Sequence, residues 1–232
     1  MVLVGQTENN YWSEFVTVRD VVLDMLEKRG IPANQLNRNV DMDFLRRQFK
    51  LFVESVNSKE LEGAYSCDIV AIQPLESGLE SGRERKTYVH FTMHPKETSQ
   101  TLEKKLEQIT RIYDLHPEHD DIDVVVFREN MDADSILYDV EKSDKYNVRV
   151  FYYKRLMFDI TKHTLVPTHQ LVPKSECPKL KKELMLNHFN QLPTLLVSDA
   201  VSRFYHFRKG SVVRIERPSI GNMKHIAYRY VQ

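Results

Sequence analysis

The sequence of 232 residues contains few cysteines and no long apolar run. Its two cysteines, Cys67 and Cys177, are far apart, which argues against a disulfide framework and fits a reducing compartment. No apolar run reaches the roughly 18 residues needed to cross a membrane. The opening residues MVLVGQTENN lack a basic segment followed by an apolar one, so we do not expect a secretory signal.

Glycine is also scarce, with seven residues in the whole chain. None of them follow the GxGxxG spacing, so the sequence does not predict a glycine loop that cradles phosphate. A GxSxG nucleophile elbow is absent as well. The sequence therefore predicts no cofactor and no small-molecule ligand.

Charge is unevenly divided along the chain, although the formal net charge is zero. Residues 147–232 hold 15 Lys and Arg against 5 Asp and Glu, whereas the remaining residues hold 18 against 28. Such polarity is typical of two domains with different partners. The basic half favours an acidic partner, either nucleic acid or an acidic protein surface. A solvated basic face beside an acidic one is the simpler alternative.

Periodic apolar residues predict two opening helices. The first helix ends at Gly30, a left-handed cap that Pro32 follows, and the second begins near Asp41, a residue type suited to the N-cap. The residues predicted to face inward are Trp12, Phe15, Val18, Val22 and Leu26 in the first helix, and Phe44, Leu45, Phe49, Phe52 and Val56 in the second.

Strands and helices then alternate up to about residue 154. Strands are predicted at 67–73, 87–93, 122–127 and 147–153, and helices at 98–113 and 132–143, with an exposed loop over 74–85. In the helix 98–113 the inward residues are Leu102, Leu106, Ile109 and either Ile112 or Tyr113. This order predicts an α/β domain over 1–154, with a mixed, partly parallel sheet flanked by helices.

A different pattern beyond residue 155 predicts a small α+β domain over 155–232. It opens with an extended, proline-punctuated segment at 163–173. A basic helix is expected at about 179–190, and a short helix is capped by Ser198 or Asp199. Two strands, at about 211–217 and 224–231, close the chain.

A pattern of the metal-dependent nuclease type runs through Asp68, Glu84 and Lys86. In such enzymes two carboxylates hold a divalent ion and a lysine helps to activate water. With 28% charged residues, Glu-x-Lys arises readily by chance, and Glu84 falls in a predicted loop. A solvated charged loop is the simpler interpretation, and a nuclease stays an alternative hypothesis.

Histidines and carboxylates cluster at 116–121 in the sequence HPEHDD, and these residue types can ligate zinc. No cysteine is near, and histidines that flank a proline do not share a helix face, so a polar loop is the simpler interpretation. His90 and His94 share a strand face but lack a third ligand. Cys67 opens an apolar strand, where a cysteine is usually inert packing. The sequence thus predicts neither a metal site nor a catalytic residue.

The last residues, KGSVVRIERPSIGNMKHIAYRYVQ, predict a compact basic hairpin. Side chains alternate along its first strand, so Val213 and Ile215 point to one side while Arg214 and Glu216 point to the other. In the second strand, Ile226, Tyr228 and Tyr230 alternate with Ala227, Arg229 and Val231. One interpretation is a self-contained hairpin with solvated basic residues. The other is that the guanidinium groups form bidentate pairs with carboxylates of a partner.

Motifs in the C-terminal part carry a resemblance to a known family. They are, in order, His163-Thr-Leu-Val-Pro167-Thr-His169, Leu192-Pro193, Asp199-Ala-Val-Ser-Arg203-Phe-Tyr, Lys209-Gly210-Ser-Val-Val-Arg-Ile-Glu-Arg217-Pro218-Ser219 and Tyr228-Arg229. Over these roughly 70 residues the chain resembles the fifth shared subunit of eukaryotic nuclear RNA polymerases, whose C-terminal half is similar to a small subunit of archaeal RNA polymerases. The first 150 residues resemble the family in pattern alone.

The resemblance implies a non-catalytic subunit of a DNA-directed RNA polymerase in the nucleus, or in the nucleolus if it serves the ribosomal RNA enzyme. It implies an N-terminal jaw domain along downstream DNA and a C-terminal assembly domain that docks on the largest subunit, beside neighbouring small subunits. The residues implied at the partner interface are His163, Pro167, His169, Arg203, Lys209, Arg214, Arg217, Pro218, Tyr228 and Arg229. Gly210 is expected to supply a backbone conformation and Asp199 to cap a helix. A free-standing nucleic-acid-binding adaptor is a further alternative.

The chain departs from the family at several positions. The family usually has Pro at Ala200, Ala at Ser202, Gly at His206 and Gln at Ser211. Near downstream DNA it commonly has Met-Thr-Pro, where this chain has Met131, Asp132 and Ala133. A carboxylate there would repel phosphates, so either the DNA contact is lost or the jaw sits differently. Such divergence indicates a specialised paralogue or a distant lineage.

Overall fold

The computed structural model describes residues 2–58, 66–73, 84–93, 99–117, 119–127, 140–141, 145–218 and 224–232. The chain divides into two compact units. The first extends to Phe158, and Asp159–Gln232 forms the main part of the second. The boundary expected between residues 154 and 155 falls inside the 3-10 helix Tyr153–Leu156. No helix in the described ranges is both long and apolar enough to span a membrane.

The first unit is built on a mixed four-stranded sheet in the order β1-β2-β3-β4. The strands are β1 (Ile69–Gln73), β2 (Arg85–Thr92), β3 (Asp121–Val126) and β4 (Val148–Tyr152). β1 pairs antiparallel with β2, whereas β2, β3 and β4 run parallel. Every residue of β3 is buried, as expected of a central parallel strand covered on both faces. The predicted α/β class is confirmed.

Helices cover both faces of this sheet. On one face lie α1 (Val2–Lys28) and α2 (Met42–Ser58). The ring of Phe15 on α1 packs against Phe49 of α2 (4.7 Å between centroids) and against Phe91 of β2 (5.4 Å). On the other face α3 (Ser99–Ile112) buries Leu102, Leu106 and Ile109 completely. Burying such side chains stabilises the unit by about 1.5–3 kcal/mol each.

The C-terminus of α1 is fixed to the sheet by polar contacts. Arg29 forms an ion pair with Asp123 of β3, and both side chains are almost fully buried. Gln73 of β1 donates from Nε2 to the Arg29 carbonyl at 2.7 Å. Gly30 ends the helix at φ 93°, the left-handed conformation that the sequence predicts for it.

Helix α2 corrects one prediction. Leu45, Phe49 and Phe52 are buried as predicted, but Phe44 is 47% exposed and Val53 is buried instead. The stripe that faces α1 follows i, i+4, i+7 and i+8 from Leu45, which leaves Phe44 about 100° away on the helix surface. Val56 lies within α2, but its side chain is not among those that the structure describes, and the predicted helix over 132–143 lies largely outside the described residues.

Helix α3 resolves an open alternative. Tyr113 packs against Tyr88 with ring centroids 4.5 Å apart, whereas Ile112 is 62% exposed. The inward residue at this end of the helix is therefore Tyr113.

The second unit contains another four-stranded sheet, in the order β5-β7-β8-β6. Its strands are β5 (Thr168–Leu171), β6 (Thr194–Leu195), β7 (Val212–Pro218) and β8 (Lys224–Val231). β7 pairs antiparallel with β5 and with β8, and β8 pairs parallel with β6 over two residues. The predicted closing strands are confirmed. One face packs a core of Leu195, Phe207, Val213, Ile215 and Val231, and the other packs Val172, Leu180 and Val212.

Two short helices pack against this sheet. α4 (Cys177–Glu183) is much shorter than the helix predicted at 179–190. Met185 adopts φ 52° and the Leu186 amide donates to the Lys181 carbonyl at 3.0 Å, a pattern that ends a helix. α5 (Ala200–Phe204) is capped by Asp199 rather than Ser198, through bonds from the amides of Val201 (2.9 Å) and Ser202 (3.3 Å).

Candidate functional site

The register of the second sheet sorts the predicted interface residues onto two faces. His169 pairs with Ile215, and Val213 pairs with Arg229, so these side chains share one face together with Arg217. Gln170, Arg214 and Tyr228 pair in one row and point to the opposite face. The predicted interface residues are therefore divided between two faces. His169, Arg217 and Arg229 lie on one, and Arg214 and Tyr228 lie on the other.

A groove of about 290 Å³ opens on the first of these faces. We call it the assembly groove. Five separate segments supply its lining, which consists of Leu165, Val166, Pro167, His169, Leu195, Asp199, Val201, Ile215, Arg217 and Arg229. Its base is apolar because Ile215 and Leu195 are buried there, and Leu165 stands 84% exposed at its rim. The groove thus combines an apolar base with two guanidinium groups and one carboxylate.

His169 is the buried titratable group of the assembly groove. Its Nδ1 lies 2.7 Å from the Pro167 carbonyl oxygen, so this nitrogen carries the proton of the neutral ring. Burial lowers the pKa of His169, and Arg217 and Arg229 lower it further, while the Pro167 contact and Asp199 oppose the shift. The imidazole is therefore held neutral between two cations.

The two arginines of the groove differ in how they are held. Arg229 donates from Nη1 to the Thr194 carbonyl at 2.8 Å, which ties β8 to β6. Arg217 is exposed and forms no ion pair with any residue that the structure describes. Asp199 has one oxygen committed to capping α5. Arg217 is thus the guanidinium best placed to bind an incoming carboxylate.

On the opposite face, Arg214 is already paired. Its Nη2 lies 2.8 Å from Glu216, which also binds Lys224 at 3.2 Å. Tyr228 packs against the core of Val172, Leu180 and Val212. Pro218 shares this face by register. These residues lie away from the assembly groove.

The other predicted interface residues occupy turns and a short helix. His163 accepts from the Leu165 amide at Nδ1 (3.2 Å) and so shapes the turn that leads into Pro167. Arg203 is half-buried on α5, and Lys209 is exposed beside Gly210. Gly210 has φ 85°, as expected of a glycine that supplies a backbone conformation. The structure brings Pro167, His169, Arg217 and Arg229 together, but not these residues.

Sequence reasoning missed part of the groove. Asp199 was expected only as a helix cap, and its carboxylate also lines the groove. Leu165 and Val201 were not singled out. Leu165 within HTLVP offers a signal in the sequence. A leucine in a proline-punctuated segment has no helix or strand of its own to bury it, so its exposure can be expected.

The residues of the nuclease pattern are not assembled as a metal site. The buried Asp68 carboxylate accepts from Tyr88, from His90 Nδ1 at 2.8 Å and from the Phe91 amide at 3.0 Å. Lys86 instead donates to the carbonyls of Tyr113 (3.1 Å) and Asp114 (3.0 Å). Lys86 and His90 lie four positions apart on β2, roughly 13 Å at strand rise. Asp68 is thus a structural acceptor.

Two acidic residues of the cluster at 116–121, Asp120 and Asp121, are also used structurally. Asp120 accepts from the His116 amide (2.7 Å) and the Lys86 amide (2.9 Å), and Asp121 accepts from the Asn147 side chain. Within the described ranges, no group of three or more His, Cys, Asp and Glu is placed to hold a metal ion. Burial raises the pKa of Cys67 to about 12, which matches its predicted role as inert packing.

The first unit has a shallow surface concavity at the start of α2. Asp41, Asp43, Arg46, Arg47 and Lys50 line it. Its carboxylates and cations are interspersed, so it lacks the uniform positive potential that attracts nucleic acid phosphates. The predicted DNA-proximal residues, Met131, Asp132 and Ala133, lie outside the described residues.

The comparisons with known proteins concentrate on the second unit. The family model described as RNA polymerase Rpb5, C-terminal domain, matches residues 158–231. The DNA-directed RNA polymerase subunit Rpo5 of Sulfolobus acidocaldarius is 37% identical over 73 residues, which cover 32% of this chain and 86% of that protein. The chain belongs to the RNA polymerase Rpb5 family.

Eukaryotic members of the Rpb5 family match as well. The subunit rpabc1 of DNA-directed RNA polymerases I, II and III from Dictyostelium discoideum is 32% identical over 108 residues, 46% of this chain and 54% of that protein. The DNA-directed RNA polymerase subunit 5-like protein 1 of Arabidopsis thaliana is 24% identical over 214 residues, 92% of this chain and 93% of that protein. The chain spans about half the length of the first curated relatives, between 43% and 54%.

Two departures from the Rpb5 family pattern have a structural meaning. His206, where the family usually has Gly, adopts φ 54°, a conformation that favours glycine. Ala200, where the family usually has Pro, is the first residue of α5, the position at which proline fits a helix. The backbone therefore keeps the conformation that the family residues favour.

Proposed function

We propose that this chain is a non-catalytic subunit of a DNA-directed RNA polymerase, and that its second unit docks on the largest subunit through the assembly groove. The family model covers residues 158–231, which nearly coincide with the second unit. In this proposal the first unit is the jaw domain and the second is the assembly domain. Neighbouring small subunits are further partners.

The observation that carries the proposal is the composition of the assembly groove. An apolar base of Ile215 and Leu195 lies beside Arg217, which no described carboxylate neutralises. Apolar anchors combined with arginine are typical of strong contacts in protein interfaces. A partner segment that inserts an apolar side chain and presents a carboxylate to Arg217 fits this groove.

The role proposed for the first unit is support of downstream DNA by position. Its residues, 1–74 and 84–158, hold 20 Lys and Arg against 26 Asp and Glu. An acidic unit gains little from counterion release at phosphates. We therefore assign binding of the polymerase to the second unit, where residues 159–232 hold 12 basic against 5 acidic residues.

The proposed location is the nucleus, because eukaryotic relatives carry the names of RNA polymerases I, II and III or of a polymerase V subunit. A subunit dedicated to the ribosomal RNA polymerase would concentrate in the nucleolus. Fluorescence imaging of the tagged chain in its own cells distinguishes the two.

Charge reversal in the groove tests the proposal. Arg217→Glu is expected to reduce recovery of the largest subunit at least tenfold, because losing a buried charged pair at an interface costs about 2–5 kcal/mol. Arg229→Glu is expected to act in the same direction. The measurement is purification of the tagged chain followed by mass spectrometry of the co-eluting proteins.

The matched control is Arg214→Glu, on the same strand but on the opposite face. It is expected to retain the largest subunit, since Arg214 is paired with Glu216 within the chain. Thermal melts of all variants separate loss of docking from loss of folding. Equal recovery from Arg217→Glu and the unmodified chain would refute docking through this groove.

A further inference from the structure

Among the described residues, one long edge of the second sheet has no strand paired with it along most of its length. β8 spans Lys224–Val231, but β6 pairs with it only at Thr194↔Tyr230 and Leu195↔Val231. Along Lys224–Arg229, β8 has no strand neighbour on that side among the described residues. An open edge of this length is a template for an added strand.

The hydrogen bonds of β8 show which backbone groups point to this edge. The Val231 amide donates to the Ser211 carbonyl (2.9 Å) and its carbonyl accepts from the Gly210 amide (2.9 Å), so Val231 faces the β7 side. The Tyr230 amide donates the other way, to the Pro193 carbonyl at 3.0 Å. Successive residues of a strand direct their backbone groups to alternate sides. The amides and carbonyls of Lys224, Ile226 and Tyr228 therefore also point away from β7.

The side chains along the edge define what can pair there. On the face of the assembly groove the edge presents Arg229 and His225, and Arg229 also lines the groove. On the other face it presents Ile226, which is 42% exposed, and the half-buried Tyr228. One set of alternate residues of a strand placed alongside would meet Arg229 and the His225 ring. The other set would meet the apolar surface of Ile226 and Tyr228, with Lys224 at its end.

A second copy of this chain fits the edge poorly. Its own β8 would add the positive charges of Arg229 and Lys224 to those of the first copy, and like charges on paired strands are destabilising. An extended segment in which acidic and apolar residues alternate is complementary to both faces.

We propose that an extended segment of the largest polymerase subunit, with alternating acidic and apolar side chains, adds to the sheet along the open edge of β8. This rests on the proposed function and specifies how the partner is held. Main-chain hydrogen bonds to Tyr228 and Ile226 supply affinity, and the side chains on the two faces supply specificity. The added strand continues the line of β6 and reaches the assembly groove at Arg229.

The experiment replaces an outward-facing amide on each edge of the sheet by proline. Ile226→Pro removes a donor from the open edge and leaves the β7–β8 ladder intact, since proline is tolerated where its nitrogen faces outward. Leu171→Pro is the matched control on β5. The Val172 amide donates to the Val212 carbonyl at 2.9 Å, so Leu171 directs its amide away from β7. Leu171 is 50% exposed, close to the value for Ile226.

We expect Ile226→Pro to lower recovery of the largest subunit at least tenfold, while Leu171→Pro leaves it within twofold. Hydrogen exchange of peptides that contain 224–229 is expected to slow when the unmodified chain is in the assembled polymerase. Hydrogen exchange tests strand addition even if Ile226→Pro fails to fold. Exchange rates of these peptides that are the same in the free chain and in the assembled polymerase would overturn the proposal.

Three other results also overturn strand addition. They are full recovery with Ile226→Pro, equal loss with both proline variants, or a dimer of the free chain that Ile226→Pro dissociates. If recovery survives Ile226→Pro but is lost with Arg217→Glu, docking through the groove stands and strand addition fails. If the unmodified chain never recovers the largest subunit, both proposals fail.

Discussion

At the assembly groove, His169 lies among charges of both signs. Arg217 and Arg229 disfavour its protonation, and Asp199 favours it, but burial is the largest influence and lowers the pKa of the imidazole. The ring is therefore neutral at physiological pH and presents Nε2 as an acceptor, since Nδ1 is used at Pro167.

This environment predicts a pH dependence of folding stability. The pKa of His169 in the folded state lies below its unfolded value of 6.5, so the folded chain binds fewer protons than the unfolded chain below that pH. The contribution of His169 is constant above about pH 6.5 and becomes destabilising as the pH falls towards the folded pKa. The slope for one proton cannot exceed about 1.4 kcal/mol per pH unit.

Urea unfolding between pH 7.5 and pH 5 measures this effect, with His169→Gln as the control. Glutamine keeps a polar side chain but does not titrate, so its free energy of unfolding is expected to fall less steeply with acid. Parallel pH profiles for the two proteins would contradict the assignment.

The contrast between Arg214 and Arg217 marks the limit of sequence reasoning at this scale. Alternation along the strand correctly puts Arg214 and Ile215 on opposite sides. It does not say which side faces the groove, because the groove also needs Pro167, Leu195 and Asp199 from distant segments. The roles of Gly210 and Asp199 are predictable, since a positive φ and an N-cap are local properties.

At the scale of elements, the start of α5 has a backbone geometry that would accept a proline. Asp199 precedes the helix with φ −58° and ψ 140°, an extended conformation that suits the residue before a proline. Ala200 is the first helical residue and is exposed, and the amide at this position has no partner within a helix.

Ala200→Pro is therefore expected to stabilise the protein by about 0.4–1 kcal/mol, because it restricts the unfolded chain without losing a helix bond. Thermal or urea unfolding measures the change. The control is Val201→Pro. It removes the amide N–H that donates a hydrogen bond to the Asp199 side chain at 2.9 Å, so it should destabilise the protein. A destabilised Ala200→Pro would mean that the first turn of α5 departs from ordinary helix geometry.

The contact of α1 with β3 depends on the buried ion pair between Arg29 and Asp123. Asp123→Ala leaves the guanidinium buried without its carboxylate and is expected to cost about 3–5 kcal/mol of unfolding free energy. In urea unfolding, the double variant Arg29→Met with Asp123→Leu should recover much of this loss, since it leaves no charge unpaired. A loss below about 1 kcal/mol for Asp123→Ala would show that the pair is solvated.

Elements with strong local signals are predictable, whereas their ends and faces depend on tertiary packing. The central strand β3 and the closing strands follow directly from apolar runs and alternation. α4 ends early because Met185 takes a left-handed conformation that its residue type does not signal. Phe44 is exposed because α1 contacts a stripe that begins at Leu45.

At the scale of the whole molecule, the two units differ in charge and in their relatives. The archaeal protein of Sulfolobus acidocaldarius aligns over 86% of its length, and that of Methanothermobacter thermautotrophicus over 95%, with only about a third of this chain. The second unit has apolar clusters of its own on both faces of its sheet. These observations indicate a unit that folds independently.

We expect a fragment of residues 159–232 to fold by itself and to unfold cooperatively. A chain of this length is near the lower limit for stability without disulfides or metals, so a free energy of unfolding of only about 3–5 kcal/mol is expected. Circular dichroism during thermal unfolding checks this. A fragment without a cooperative transition would show that the second unit depends on the first.

The ion pair between Arg29 and Asp123 also bears on synthesis of the chain. Its partners are 94 positions apart, so the guanidinium leaves the ribosome long before the carboxylate that neutralises it. At a synthesis rate of about 5–20 residues per second, Asp123 is added roughly 5–20 s after Arg29. During translation the first unit therefore gains its stability late, once the central strand has emerged.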